Sequence, residues 1–142
     1  MEFFLKIDPP ETTAQMKRLD TRGKRPRFYD SPTMLAAKWT YAVALKPHRP
    51  TTPLIGPLEL TIRTVWAHPK RTRKGDCAKL WPKMTPPDCD NHAKQLQDSM
   101  KTEGFFIDDA QISRLLVERW LGPPDKVGIY ARLRSFAVDF QP

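Results

Sequence analysis

The chain has 142 residues and a formal net charge of +8, and hydrophobic and charged residues make up 39% and 28% of it. These values are typical of a single globular domain over residues 1–142 that folds without a disulfide or a metal ion. Apolar runs stay well below the roughly 18 residues that a membrane span needs, and the first residues do not resemble a secretory signal. We therefore expect a cytoplasmic protein with reduced thiols at Cys77 and Cys89 and no membrane partner.

The positive charge is concentrated in the first half of the chain. Residues 1–74 carry 15 basic and 6 acidic side chains, whereas residues 75–142 carry 9 basic and 10 acidic ones. This asymmetry favours a polyanionic partner, most simply nucleic acid, although a basic surface also serves solubility alone. The residues that we predict to contact DNA lie in an arm before the first helix and in a later loop: Lys17, Arg18, Arg22, Lys24, Arg25, Arg27, Lys70, Arg71, Arg73 and Lys74.

The first third of the sequence predicts a strand, a basic loop and a helix. Phe3–Ile7 is bulky and ends at paired prolines, which is typical of a strand. Residues 11–31 contain the basic arm and are predicted to form a loop. Ser31 followed by Pro32 is typical of a helix start, and apolar residues then recur with helical spacing to about residue 46. The residues that we expect to face the core are Leu35, Trp39, Ala42 and Val43.

The rest of the chain predicts a second helix among three strands. Leu58 to Trp66 alternates between apolar and polar side chains, which indicates a half-buried strand. A long loop with several prolines follows over 69–87, and a loop of this length in a compact domain is more often functional than idle. The predicted elements after it are a helix from Asp90 or Asn91 to Gly104 and strands over 112–120 and 129–140.

In chain order these elements are β-α-β-α-β-β, and the sequence has no visible repeat. The order fits an α/β (α+β) fold, a mixed β-sheet with two main helices packed on it. Trp39, Trp66 and Trp120 lie on apolar faces and are expected in the core. Other aromatic residues are candidates for stacking on unpaired bases, although most such residues prove to be core or interface. These candidates are Phe28, Tyr29, Trp81, Phe105 and Phe106.

Five aspartates fall within 22 residues of this basic chain: Asp88, Asp90, Asp98, Asp108 and Asp109. Their carboxylates would repel a phosphate backbone unless a cation cancelled their charge. Mg²⁺ is held by one or two carboxylates together with waters and phosphate oxygens, which is the arrangement that metal-dependent nucleases need. The alternative is that these residues only cap a helix and form a turn, and the residues alone leave both interpretations open.

Asp109 can approach Asp90 only if the chain returns along the second helix. That helix would be about 20 Å long, and the residues from Gly104 to Asp109 reach at most about 16–18 Å when extended. A nearly straight return is therefore permitted but not required. Lys94 lies one turn after Asp90, where it either forms a surface ion pair or faces the attacked phosphate.

The pattern D-x-D-N-x-x-K-x-x-x-D, followed by G-x-x-x-D-D-x-Q-I, runs from Asp88 to Ile112. It resembles the signature of the RusA-type Holliday junction resolvases, and a weaker likeness extends over most of the chain. The resemblance implies a homodimeric endonuclease of bacteria or phages that depends on Mg²⁺, with Mn²⁺ as a substitute. Such an enzyme resolves four-way DNA junctions by paired nicks. The resemblance also implies catalytic and metal-binding roles for Asp88, Asp90 and Asp109, and a catalytic role for Lys94.

Other interpretations stay open beside this one. A non-catalytic module would bind branched or duplex DNA by charge and shape alone, and a broader nuclease would also cut flaps or single strands. A structural zinc site is conceivable, but the spacing of its candidate ligands matches no common pattern. Those ligands are His68, Cys77, Cys89 and His92.

Overall fold

The computed structural model describes residues 1–12, 18–23 and 25–136, and its main element is a five-stranded mixed sheet. The strand order is β1-β7-β4-β6-β5, and two helices lie on one face of the sheet. A separate antiparallel pair is formed by β2 and β3. The strands are β1 Glu2–Leu5, β2 Arg18–Asp20, β3 Arg27–Tyr29, β4 Leu58–Ala67, β5 Trp81–Pro82, β6 Ile112–Gly122 and β7 Gly128–Ser135, and the helices are α1 Pro32–Leu45 and α2 Cys89–Thr102.

This architecture confirms the predicted mixed sheet with two main helices. It adds three short strands, β2, β3 and β5, to the predicted order. Strands β2 and β3 replace part of the loop that was predicted over 11–31, and β5 replaces part of the loop that was predicted over 69–87, so both predictions were wrong there. Strands β2 and β3 have only three residues each, which is too short for a strand period to show in the sequence. Of the predicted last strand, residues 137–140 lie outside the described residues.

The connection from β4 through α2 to β6 places the two ends of α2. Strand β4 pairs with β6 in parallel and with β7 in antiparallel orientation. Parallel neighbours need a crossover, and here α2 supplies it. The first turn of α2 contacts Arg119 near the end of β6, whereas Lys101 in its last turn contacts the residues just before β6. Helix α2 therefore runs back along β6.

The core lies between the helices and the sheet. The largest buried side chains there include Leu5, Leu60, Ile62 and Ile129 from the strands and Tyr41, Leu45, Leu96 and Met100 from the helices. Strand β4 lies between β7 and β6, and its polar residues Glu59 and Thr61 are also buried. The prediction of a half-buried strand was wrong for this reason, since a central strand can be covered on both faces.

Helix α1 begins as predicted but turns a different face to the core. The hydroxyl of Ser31 accepts a hydrogen bond from the Met34 amide at 3.3 Å, which caps the helix. Its buried residues are Met34, Ala37, Tyr41 and Leu45, whereas the predicted core residues Leu35, Trp39 and Val43 are exposed, Trp39 by 72%. Both sets have helical spacing, so only contact with the sheet decides between them. Trp66 is buried as predicted, and Trp120 is partly buried.

Helix α2 begins slightly earlier than predicted. It starts at Cys89 with Asp88 in the capping position, and the Asp88 carboxylate makes no capping hydrogen bond. Gly104 follows the helix with φ +79°, a conformation that glycine adopts without strain. None of the helices in the described ranges is long and apolar enough to cross a membrane.

His92 ties the first turn of α2 to the centre of the sheet. Its ring is fully buried, lies 5.0 Å from the Trp66 ring and shares a 2.7 Å hydrogen bond with the Thr64 hydroxyl. Burial, together with the charge of Arg119, lowers the pKa of His92 to about 4. The folded protein therefore keeps His92 neutral in mildly acidic solution, where an exposed histidine takes up a proton.

We expect the free energy of unfolding to fall as the pH drops from about 6.5 to about 4. Over this range the unfolded chain binds a proton at His92 whereas the folded protein does not. The resulting loss of stability from this residue is up to about 3 kcal/mol. Urea unfolding at several pH values measures it. The variant His92→Gln keeps a partner for Thr64 but cannot titrate, so its stability should fall less over this range. Equal pH dependence in both proteins would contradict the assignment.

Candidate active site

Arg119 fixes the chain segment that leads into α2. Its guanidinium donates to the carbonyl oxygen of Thr85 at 3.0 Å, to the Pro87 carbonyl and to the Cys89 sulfur at 3.1 Å. Strand β6 thereby holds both flanks of Asp88. The backbone carbonyl of Asp88 also accepts a hydrogen bond from the His92 amide at 3.0 Å. The Asp88 side chain is exposed on the surface at the start of the helix.

Gln111 fixes the turn that carries Asp109. Its side-chain oxygen accepts the amides of Ile107 and Asp108 at 2.8 and 2.9 Å. Its side-chain nitrogen donates to the carbonyls of Leu54 and Gly56. The Asp108 carboxylate accepts the Ala110 amide at 3.1 Å and completes a capping box with Gln111. Asp109 therefore stands on a short turn whose backbone is held from two sides.

Two lysines of α2 contact Asp109. The Lys94 ammonium donates to Asp109 at 3.3 Å and to Asp98 at 3.1 Å. Lys101 lies 3.5 Å from Asp109 and 3.4 Å from Asp108. Asp109 thus lies beside the middle turns of α2, and a shallow recess of about 360 Å³ opens between Lys94, Gln97, Asp109 and Ala110.

These contacts favour the charged forms of Asp109 and Lys94. A hydrogen bond with Asp108, then one from Lys94, lowers the pKa of Asp109 to about 2. Hydrogen bonds to Asp98 and then to Asp109 raise the pKa of Lys94 above its usual value. Near neutral pH the site therefore holds an ionised carboxylate against a protonated amine.

The predicted site residues are brought together only in part. Asp109 returns along α2, as the sequence permits, but its contacts are with Lys94 and Lys101. Asp90 is exposed one turn before Lys94, about 6 Å nearer the start of the helix. Within the described part of the chain, no three acidic, histidine or cysteine side chains are close enough to hold a metal ion together. Asp88, Asp90 and Asp109 thus stand along one helix rather than in one closed cage.

The predicted DNA contacts are on the surface wherever the structure describes them. Lys17 and Lys24 lie outside the described residues. Around strands β2 and β3 the exposed basic residues are Arg18, Arg22, Arg25 and Arg27, and in the loop after β4 they are Lys70, Arg71, Arg73 and Lys74. The described basic side chains of both segments are therefore accessible from solvent.

The other candidates divide by burial. Phe105 and Phe106 are core residues and cannot stack on bases, whereas Phe28, Tyr29 and Trp81 are exposed.

The four residues considered as zinc ligands have different hydrogen-bond partners. His68 bonds the Lys79 carbonyl, Cys77 contacts the carbonyls of residues 72 and 73, and Cys89 lies beside Arg119. His92 is buried against Thr64, so these contacts do not support zinc binding.

Sequence reasoning missed three residues that shape this site. Lys101 lies seven residues after Lys94 and so on the same face of α2, a spacing that could have revealed it. Gln111 belongs to the motif, but nothing in the sequence around it predicts its hydrogen bonds to the carbonyls of residues 54 and 56. Arg119 lies in a predicted strand whose sequence gives no sign of a contact with the start of α2. This contact exists because the crossover brings the helix beside the strand.

A model of a family of DNA endonucleases matches the chain. The family is described as Endodeoxyribonuclease RusA, and the match covers residues 9–131, which is 123 of the 142 residues. The chain therefore belongs to the RusA endodeoxyribonuclease family, which confirms the predicted resemblance. A search of curated proteins found no match to this chain.

We expect Lys94→Met to raise the pKa of Asp109, because the substitution removes a hydrogen-bonded cation from its carboxylate. Carboxyl ¹³C NMR during an acid titration measures this pKa directly. The matched control is Lys46→Met, which changes an exposed lysine just after α1. An Asp109 titration that is the same in all three proteins would show that Lys94 does not contact this carboxylate in solution.

Proposed function

We propose that the protein is a Mg²⁺-dependent endonuclease that resolves four-way DNA junctions by paired nicks in recombination and repair. The observation that carries this proposal is the contact of Lys94 with Asp109, one turn from the exposed Asp90. This contact places the Lys94 ammonium beside the carboxylates of Asp98 and Asp109, at an open recess on the surface of a basic chain. Membership in the RusA family supports DNA as the substrate, and we place the enzyme in the cytoplasm of a bacterium or a phage-infected cell.

The acidic side chains suit a hard divalent cation. Asp88 and Asp90 are exposed, and the Asp88 carboxylate is not used to cap its helix. Asp109 is ionised well below neutral pH. Mg²⁺ takes one or two carboxylates and keeps several waters, so Asp109 with Asp88 or Asp90 would be enough to hold it against DNA. When bound, the ion would activate a water and neutralise charge at the attacked phosphate.

Lys94 serves as the positive group for the phosphate in this proposal. Its protonated amine shares Asp109 with Lys101, so it can turn toward a phosphate while Lys101 still contacts the carboxylate. An ammonium group beside the reacting phosphate stabilises the negative charge that develops on the leaving oxygen. The exposed arginines and lysines of the β2–β3 segment and of the loop over 70–74 would bind the backbone on either side.

A homodimer follows from the reaction, since two symmetric nicks need two sites. We place the second copy on the exposed apolar stripe of α1, formed by Leu35, Trp39 and Val43. The stripe borders a groove of about 500 Å³ between α1 and α2.

One buried polar residue of the groove supports a second copy as its occupant. The charged residues do not, because Lys38 on the α1 side is paired with Asp30 and Asp98 on the α2 side is paired with Lys94. Gln95 also lines the groove and is buried. Neither polar atom of its amide has a hydrogen-bond partner among the described residues. A polar group of the second copy would supply one.

We expect Asp90→Asn and Asp109→Asn each to lower Mg²⁺-dependent nicking of a labelled four-way junction by at least about 100-fold, because each removes a charged ligand oxygen. Junction binding without Mg²⁺ should persist. The control is Asp125→Asn, which changes an exposed aspartate between β6 and β7.

Two outcomes of this assay would favour the other functions. Binding without nicking by the unmodified protein would indicate a non-catalytic module. Equal cutting of duplex and junction would indicate a nuclease of broader specificity. Full activity in both aspartate variants would remove these residues from the site.

We expect Trp39→Glu to convert the dimer to a monomer, because the change places a charge on the apolar stripe. Sedimentation velocity over a range of concentrations measures this. Trp81→Glu alters an exposed tryptophan of β5 and should leave the dimer intact. A dimer that survives Trp39→Glu would place the interface elsewhere.

A further inference from the structure

Three arginines surround one buried carboxylate on the face of the sheet away from the helices. The Glu59 carboxylate accepts hydrogen bonds from Arg114 and Arg134, both at 3.0 Å. Arg132 lies 3.7 Å away on the same carboxylate. Among the described residues, Glu59 is the only acid paired with these arginines. The group, which we call the Glu59 arginine cluster, therefore carries a net charge of +2.

Structural pairing alone needs fewer arginines. The same face holds a pair that is balanced, in which Arg63 of β4 bonds Glu118 of β6. One guanidinium is enough there for one carboxylate. At Glu59 the two additional guanidinium groups repel each other at short range, which disfavours the folded state unless an anion compensates.

The cluster is also held in a fixed shape. Glu59 is 4% exposed, so its carboxylate is a rigid anchor in the central strand. The Arg114 guanidinium lies over the Phe136 ring, 4.4 Å from its centroid. The Arg114 and Arg134 side chains nevertheless remain 59% and 55% exposed, so they can bind a ligand. Planar guanidinium groups that are fixed but accessible suit phosphate oxygens.

The cluster lies at the same end of the sheet as Asp109. Arg114 follows Asp109 by five residues, and strand β6 begins between them. That stretch of chain spans at most about 15 Å. Asp109 faces α2 and Arg114 faces the opposite side, so a DNA strand that passes around this end of the sheet would meet both.

We propose that the Glu59 arginine cluster is a phosphate-binding patch that holds the DNA backbone beside the cleavage site. The proposal rests on the proposed function for its ligand, because it takes DNA as the polyanion. It assigns to Arg114, Arg132 and Arg134 a role separate from the basic arm and from the loop over 70–74. These residues would contribute affinity and position without reading the sequence.

The salt dependence of binding tests this proposal. We would measure the affinity for a labelled four-way junction in EDTA, between about 50 and 200 mM NaCl, for Arg114→Gln and Arg134→Gln. Each lost duplex phosphate contact should reduce the slope of log K against log[salt] by about 0.9. Each single variant leaves Glu59 with two arginines, so we expect both to fold, which thermal unfolding checks.

Arg63→Gln is the matched control. Its side chain is 52% exposed and lies on the same sheet face, but its charge is balanced by Glu118. It should keep the slope of the unmodified protein. The proposal is overturned if Arg114→Gln and Arg134→Gln keep that slope as well, including the case in which they only lower the melting temperature. Because EDTA prevents cleavage, loss of the proposed nuclease activity would not be mistaken for loss of this patch.

Discussion

The contact between Lys94 and Asp109 joins the middle of α2 to the short turn before β6, and the proposed site depends on it. Asp98, Asp108 and Asp109 crowd around two lysines, so this small region keeps a net negative charge within a chain of net charge +8. Asp88 and Asp90 extend the negative region toward the start of the helix. A local negative site on a basic protein can attract a divalent cation while the surrounding surface attracts DNA. The bonds of Gln111 and Arg119 hold the two ends of this region in place.

The strands and helix limits were predictable where the signal is local. Ser31 and Pro32 mark the start of α1, bulky residues followed by prolines mark β1, and the residues of β4 alternate with the period of a strand. The face of α1 was not predictable, because Leu35, Trp39 and Val43 have the same spacing as the residues that pack in the core. The burial of Glu59 was hidden as well, since its partners Arg114, Arg132 and Arg134 come from strands far along the chain.

The candidate site also combines residues that the local sequence predicts with residues that only the fold brings into place. Asp88, Asp90 and Lys94 follow from one stretch of helix, and the family motif points to them directly. The position of Asp109 depends on the path after Gly104, which sequence reasoning bounded by length alone. The structure places that path beside Lys94 and Lys101 rather than at Asp90. The exposure of the basic residues in the loop over 70–74 was predictable from charge, whereas the Glu59 arginine cluster needs the register of three strands.

The proposed mechanism requires Asp109 to be a ligand of the catalytic cation. A crystal of the protein grown with a four-way junction and Mn²⁺, with an anomalous difference map, tests this directly. The proposed mechanism predicts a peak at coordination distance from the Asp109 carboxylate and from Asp88 or Asp90, with the Lys94 ammonium turned from Asp109 toward a phosphate. A manganese ion bound elsewhere, with Lys94 still bonded to Asp109 beneath the DNA, would contradict it.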